Sequence, residues 1–316
     1  MPLSAEQVET FRREGYVMVP DVFSQEEMAV ARVAAERIFY GGKTFDEWKD
    51  SFDGSRDTVR DGFFNNDASG RSQFPVGIKA LDSLIENKNY LDMFAQCLDT
   101  DEMWYCNAHL FMRSGLTDKR HAEHLWEGYH IDHDTNSFLP PHSKIGLYDY
   151  VNCGVYLHDV EEDGAPMHVI PGSHHQLIEL LPRLLEQGIY KPPTTITDIR
   201  EIPEFATPVP TTAKAGSALF YSSYLVHAAV PFQNKRKQRV LWTLSLSRKD
   251  TCSFNRFANA YNYGDRNFTV PFWKTTSPYV RSLFGWPPPN DPYYTPETLA
   301  LLEKWYPGMD LTSYRR

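Results

Sequence analysis

Apolar and polar positions change register several times along this chain, and each register predicts a different element. Over residues 4–14 the spacing is helical. Ser4 with Gln7 forms a capping box, the predicted helix runs to Arg13, and Gly15 ends it. The run Tyr16-Val17-Met18-Val19-Pro20 is short, β-branched and apolar, so a strand is expected there. Ser24 with Glu27 forms a second capping box. The helix that it opens runs toward Phe39, with Gly41-Gly42 as the stop. Val30, Val33, Ala34 and Ile38 are its expected buried stripe. Residues 41–80 are polar and lose the pattern, and 50–72 reads as a loop-rich insertion of Asp, Asn, Gly and Ser. Residues 81–98 return to helical spacing in pieces.

From about residue 102 short apolar runs alternate with polar breaks, at 103–113, 144–157, 166–171, 204–210, 217–221 and 239–247. That spacing predicts an all-β sandwich or barrel. One helix interrupts it at 175–187, where Pro182 is expected to kink or split it. The tail from about 252 is aromatic and Pro-rich, including Trp286-Pro287-Pro288-Pro289. It closes with a helix capped by Thr295, with Pro296 at the first position. No repeat, heptad or clean linker divides the chain. The expectation is therefore one domain over 1–316, mainly β with helical decoration. Helices occupy 1–100, the β core 101–250, and an extension 251–316.

Composition removes whole classes of function. The net charge is -9, without the basic footprint of a nucleic-acid binder. No run of 18 apolar residues exists, so no membrane span is expected. The first residues lack the basic flank and apolar core of a secretory signal. Cys97, Cys106, Cys153 and Cys252 are scattered without a CxxC pair and read as reduced thiols, so a cytoplasmic location is expected. Aromatic residues reach 14%, which suggests a pocket or a heavy core rather than a coiled coil.

The candidate chemistry lies in the histidines. In Tyr129-His130-Ile131-Asp132-His133-Asp134, residues two apart on an extended strand point to one side. His130 and Asp132 then project together and can take adjacent positions on one metal. A distant His would complete a facial triad with open positions, as non-haem Fe(II) oxygenases require. His227, at the end of an apolar run after Gly216, is the candidate. The competing reading is a surface loop of mixed charge, with Asp134 as the rival carboxylate and His133 pointing away. His168 and His174 are rival ligands, although His174 sits where it would order a loop. Arg239 enters the alternating run VLWTLSLS twelve residues after His227. A buried Arg there needs a carboxylate partner, which a dicarboxylate cosubstrate supplies. The competing reading is a solvated basic turn shared with Lys235, Arg236 and Lys237.

Together these segments resemble the phytanoyl-CoA dioxygenase (PhyH-like) family of Fe(II)/2-oxoglutarate-dependent oxygenases. The resemblance rests on Gly15-Tyr16-Val17 followed by Phe23-Ser24-Gln25-Glu26-Glu27, then on His130-Ile131-Asp132. It continues through Gly164 to Ile170-Pro171-Gly172-Ser173-His174, and through Gly216-Ser217 to His227 and Arg239. It implies a double-stranded β-helix (jelly roll, cupin-like) with iron held by His130, Asp132 and His227. It also implies that Arg239 grips the distal carboxylate of 2-oxoglutarate, and Asn107 is expected on the cosubstrate as well. O2 would convert 2-oxoglutarate to succinate and CO2 while a substrate C–H bond is oxidised, by hydroxylation, desaturation or ring closure.

The chain also departs from its relatives. Arg239 stands one residue further from the distal His than is common. Ala229 replaces a frequent hydroxyl residue, and Ser217 replaces a frequent Asp. Retention of Asp132 argues against halogenation. Trp126, Tyr129 and Phe138 flank the metal strand and are candidate pocket walls, with core packing as the other reading. Asn107, His109 and Phe111 alternate and so share a face. The expected partner is a small organic substrate, with no nucleic acid, membrane or obligate protein partner. Two other readings stay open: a non-catalytic jelly-roll binding protein, and a cupin-like metal enzyme that does not use 2-oxoglutarate.

Overall fold

A computed structural model describes residues 2–54, 71–118, 120, 125–132, 148–191, 195–250, 266–284 and 286–315. The local signals at the N-terminus hold. Helix α1 spans Ala5–Glu14 behind the Ser4 capping box and ends at Gly15 in the left-handed region. Strand β1 follows at Tyr16–Val19. Helix α2 spans Gln25–Phe39 behind the Ser24 box. Its buried stripe is only partly the expected one: Ile38 is buried and Ala34 packs against the core, but Val30 points out. Met28, Ala31, Ala35, Ile38 and Phe39 face inward, and Val30 is 60% exposed. Small apolar residues surround this helix, so spacing alone could not choose its face.

The 41–80 region contains regular structure that its polarity concealed. Helix α3, Phe45–Lys49, has its own capping box from Thr44 and Glu47. Strand β2, Arg71–Gln73, joins a sheet edge. Helix α4, Lys79–Asp82, and helix α5, Lys88–Leu98, supply the helical pieces. The rest of the proposed insertion, 55–70, lies outside the described residues.

Two antiparallel sheets of six strands each follow among the described residues. In chain order the strands are β3 Met103–Ser114, β4 Tyr129–His130, β5 Tyr150–Tyr156 and β6 Met167–Val169. After helix α6, Ser173–Glu186, come β7 Tyr190–Lys191, β8 Thr195–Ile196, β9 Val209–Pro210, β10 Ala218–Ser222, β11 His227–Ala229 and β12 Gln238–Arg248. The larger sheet runs β1-β10-β5-β12-β3-β2 and the smaller β7-β8-β4-β11-β6-β9. Two facing antiparallel sheets form the jelly-roll core. The apolar run at 204–210 yields only the two-residue β9.

Alternation sorts the larger sheet into two faces. Val151, Cys153, Val155, Phe220, Val240, Trp242 and Leu244 pack outward with Met28, Ala35, Tyr90 and Phe94 of the N-terminal helices. The opposite face carries Leu219, Tyr221, Tyr156 and Leu241, which meet Met167 and Val169 of the smaller sheet. The outer side of the smaller sheet buries Tyr129, Ile131, Val226 and Ala228 against Leu177 and Leu184 of α6. That burial explains why α6 runs unbroken through Pro182, against the expectation of a break. Tertiary packing of its apolar face outweighs one lost backbone bond. Beyond β12 lie helices α7 Arg266–Thr275, α8 Pro278–Leu283 and α9 Pro296–Trp305, the last capped by Thr295 as expected.

One glycine fixes how β1 docks. The Gly216 carbonyl accepts from the Val22 and Phe23 amides at 3.0 and 3.1 Å. Gly216 has φ +83, and a Cβ there would stand 2.2 Å from the Phe23 carbonyl oxygen. Backbone cannot yield as a side chain can. Gly216→Ala is expected to lower the unfolding free energy by about 3 kcal/mol or more. Gly42, with φ +84 and open space around it, is the control. Gly42→Ala should cost about 1 kcal/mol, the strain of its φ alone. Urea melts of the two variants check the contrast.

Candidate metal centre

Antiparallel pairing brings the two histidines together. His130 on β4 and His227 on β11 are register partners, with ring centroids 4.4 Å apart. Asp132 follows β4 by two residues, and its amide donates to Ser223 at 3.0 Å. Its carboxylate lies 3.7 Å from His130 Nε2 and 3.5 Å from His227 Nε2. One ligand atom from each of the three lies within 4.8 Å of the others. The expected triad is therefore assembled.

The hydrogen bonds around it set the orientation of both rings. His130 Nδ1 donates to the Gly128 carbonyl and His227 Nδ1 to the Leu225 carbonyl, each at 2.9 Å. A carbonyl can only accept, so each Nδ1 carries a proton and each Nε2 is the atom turned to the cluster. Burial pushes His227 down to about 4, although Asp132 partly opposes this. At neutral pH it is an uncharged imidazole, the form that binds a metal.

Asp132 is held from the opposite sheet. Asn152 Nδ2 and the Tyr221 hydroxyl donate to Oδ2 at 3.0 and 3.1 Å. Burial raises Tyr221 well above the usual phenol range, which keeps it a donor. Asn152 in turn accepts from the Ser245 hydroxyl. Neither Asn152 nor Tyr221 was singled out from sequence. Tyr221 keeps the two-residue phase of Leu219 and Asn152 that of Tyr156, a signal that could have placed them inward.

Arg239 is 1% exposed, so the solvated-turn reading fails for it. It sits in β12, which begins at Gln238, while Arg236 and Lys237 belong to the preceding turn. Its Nη1 donates to the Ala165 carbonyl at 2.7 Å. Its buried Nε has no hydrogen-bond partner among the described residues. Burial, and then Arg113, lower its pKa to about 9. Arg239 keeps the two-residue phase of Leu241 and Ser245, the partners of Tyr156 and Asn152, so it lies on the same inner face of the larger sheet as Asn152 and Tyr221.

The other sequence candidates divide. Asn107 and His109 lie on β3 in the phase of Arg113, register-paired with Ser245 and Thr243. The Asn107 amide donates to His109 Nε2 at 2.7 Å. Tyr129 requires correction as a pocket wall. Its ring packs with Ile131 beneath α6, on the face of β4 opposite His130, because neighbouring strand residues alternate sides. Trp126 packs against that same cluster. Phe138, His133 and Asp134 lie outside the described residues. His168 reaches the Tyr129 hydroxyl at 3.4 Å and is not in the triad. His174 is buried in the first turn of α6 and contacts the Arg12 carbonyl at 3.2 Å, which ties the loop down as expected.

A family model described as phytanoyl-CoA dioxygenase (PhyH) matches residues 11–240. The chain belongs to that family. Curated relatives include the ectoine dioxygenase of Stutzerimonas stutzeri (strain A1501), 23% identical over 72% of each chain. A second is the ectoine dioxygenase of Bordetella bronchiseptica, 24% identical over 72% of this chain and 70% of that one. Among solved structures, HygX from Streptomyces hygroscopicus, with nickel and 2-oxoglutarate bound, superposes with a TM-score of 0.54 at 17% identity. It covers 80% of this chain and 90% of its own. SnoN, an alpha-ketoglutarate-dependent epimerase of nogalamycin biosynthesis, gives 0.50 at 19% identity, over 77% and 82%. The PhyH member described here is a 2-oxoglutarate-dependent dioxygenase whose cofactor is iron and whose cosubstrates are 2-oxoglutarate and O2. Its interior fits that chemistry: two Nε2 atoms and a carboxylate converge, and a buried guanidinium nearby has a donor to spare.

Proposed function

We propose that this enzyme oxidises a C–H bond of a small polar metabolite, by hydroxylation unless the substrate geometry favours desaturation or ring closure. His130, Asp132 and His227 would hold the iron, and Arg239 the distal carboxylate of 2-oxoglutarate. The observation that carries this reading is the pairing of a converged His-Asp-His set with a buried Arg across one interior. When bound, the iron supplies O2 activation coupled to decarboxylation of the cosubstrate.

The protein's own part is to position and exclude. Asn152 and Tyr221 orient the Asp132 carboxylate, and the carbonyls of Gly128 and Leu225 orient the two imidazoles. Tyr156, Leu219, Leu241, Met167 and Val169 keep the interior between the sheets apolar. Asn107, His109 and Thr243 give one wall polar groups, which favours a substrate that exchanges hydrogen bonds rather than a bare hydrocarbon. Asn107 would serve the cosubstrate or the substrate at that wall. Cys97, Cys106 and Cys153 are buried free thiols, which supports a reducing compartment such as the cytoplasm. No described helix is long and apolar enough to cross a membrane.

The test is anaerobic addition of Fe(II) and 2-oxoglutarate to the metal-free protein. A weak charge-transfer band near roughly 500 nm, absent in His130→Ala, is expected of a cosubstrate chelated on a facial triad. Metal uptake without that band would remove 2-oxoglutarate from the site and with it the reading.

A further inference from the structure

The register of the larger sheet sets a second arginine directly opposite the first. Arg113 on β3 is the Cα partner of Arg239 on β12. Paired residues on adjacent antiparallel strands project to the same face with Cβ atoms about 5 Å apart. Like charges in that position repel, and burial sharpens the repulsion. Burial lowers the pKa of both groups, and Arg113 adds to the lowering of Arg239. A fold retains such a pair at a cost unless something anionic stands between them.

The described carboxylate at hand does not fill that role. Asp118 takes Arg113 Nη2 at 2.6 Å, Arg120 Nε at 3.1 Å and the Phe232 amide at 3.2 Å. Its oxygens are thus divided between two guanidiniums and two backbone amides, of Phe232 and Arg120. Among the described residues, three arginines against one aspartate leave an excess of two positive charges. Arg113 Nη1 remains buried without a hydrogen-bond partner among the described residues, as does Arg239 Nε. The rings of Phe232 and Phe111 lie 5.3 and 5.9 Å from the two guanidinium carbons and shield them from water. On the facing strand, Ala229 has no side-chain donor to offer, and its carbonyl is occupied by Arg120.

We infer that Arg113 is a second grip on the distal carboxylate of 2-oxoglutarate, and that the Arg113–Arg239 pair makes the site selective for dicarboxylic 2-oxo acids. The inference rests on the cosubstrate reading above and extends it to a residue that reading does not use. Asp118 is then a positioning residue: by holding Nη2 it turns Nη1 toward the carboxylate. One carboxylate between two forks replaces repulsion with charge-assisted hydrogen bonds on both sides.

The experiment is a binding titration by calorimetry on the Zn(II)-loaded enzyme, where no turnover occurs. The two ligands are 2-oxoglutarate and 2-oxopentanoate, which share the 2-oxo acid head and differ in the distal carboxylate. Wild type should prefer 2-oxoglutarate strongly. Arg113→Met should cut that preference about tenfold, the scale of one lost charge-assisted hydrogen bond, and leave the 2-oxopentanoate affinity unchanged. Arg113→Lys keeps a charge for Asp118 without the fork, and should lose part of the preference in a protein that folds normally. An unchanged preference in either variant, or an equal loss for both ligands, overturns the inference. Equal binding of the two ligands by wild type overturns the cosubstrate reading itself.

Discussion

Asp132→Ala is expected to yield a folded protein that neither retains iron through gel filtration nor forms succinate from 2-oxoglutarate. Asp132 is the one anionic member of the His130, Asp132 and His227 set, and the Nδ1–H bonds to carbonyls leave Nε2 of each imidazole as the atom that faces the cluster. Losing the carboxylate removes both a ligand and the charge that offsets the metal. Turnover should fall at least about 10³-fold, equivalent to about 4 kcal/mol. The positioning residues should show a graded version of this loss. Asn152→Ala deletes the 3.0 Å donor to Oδ2 and breaks the link to Ser245. A loss of about 10- to 100-fold is the usual scale for residues that orient a ligand. Tyr221→Phe deletes a single donor at 3.1 Å and should cost less than Asn152→Ala. Metal content and succinate release, measured together, separate lost binding from lost chemistry. If Asp132→Ala kept its iron, the carboxylate would have to come from elsewhere, and Asp134 would be the first residue to replace.

This site was partly legible because its parts obey short-range rules. The capping boxes at Ser4 and Ser24 and the turn at Gly15 depend on residues three or four apart, so sequence reveals them. His130 and Asp132 share a side for the same reason. What joins them to His227 is strand pairing across nearly a hundred residues, which no local pattern encodes; the apolar run that ends at His227 made it a candidate, and the family resemblance tied it to the other two. The failures have the same cause. The buried face of α2 is chosen by what packs against it, and its apolar residues allowed several faces. Tyr129 looked like a pocket wall from its place beside His130, but adjacency on a strand means opposite faces. Arg113 went unnoticed although it keeps the two-residue phase of Asn107, His109 and Phe111. Its importance appears only when β3 is laid in register with β12.

Arg239→Met separates the demands of stability from those of binding. In the free enzyme Arg239 is a buried cation whose charge is met by one carbonyl bond and opposed by Arg113. Replacing a buried charge by an apolar chain of similar length is often neutral or stabilising. The melting temperature of the free variant should therefore be no lower than that of wild type. The bound state reverses the balance, since the distal carboxylate of 2-oxoglutarate would then face a thioether where Arg239 stood and keep only Arg113 as a cationic partner. Losing one side of a buried charge pair costs about 3 kcal/mol, so the affinity for 2-oxoglutarate should fall roughly 10²-fold. Added 2-oxoglutarate should stabilise wild type and leave the variant nearly unchanged at the same concentration. Turnover at saturating cosubstrate should recover much of its wild-type value, because the metal ligands are untouched. Thermal melts with and without 2-oxoglutarate, set beside KM and kcat for succinate formation, check each part. A variant that melts lower than wild type and keeps its affinity would make Arg239 a structural residue held by Ala165. A variant that melts no lower and loses affinity would show that the fold carries this buried charge for the sake of its cosubstrate.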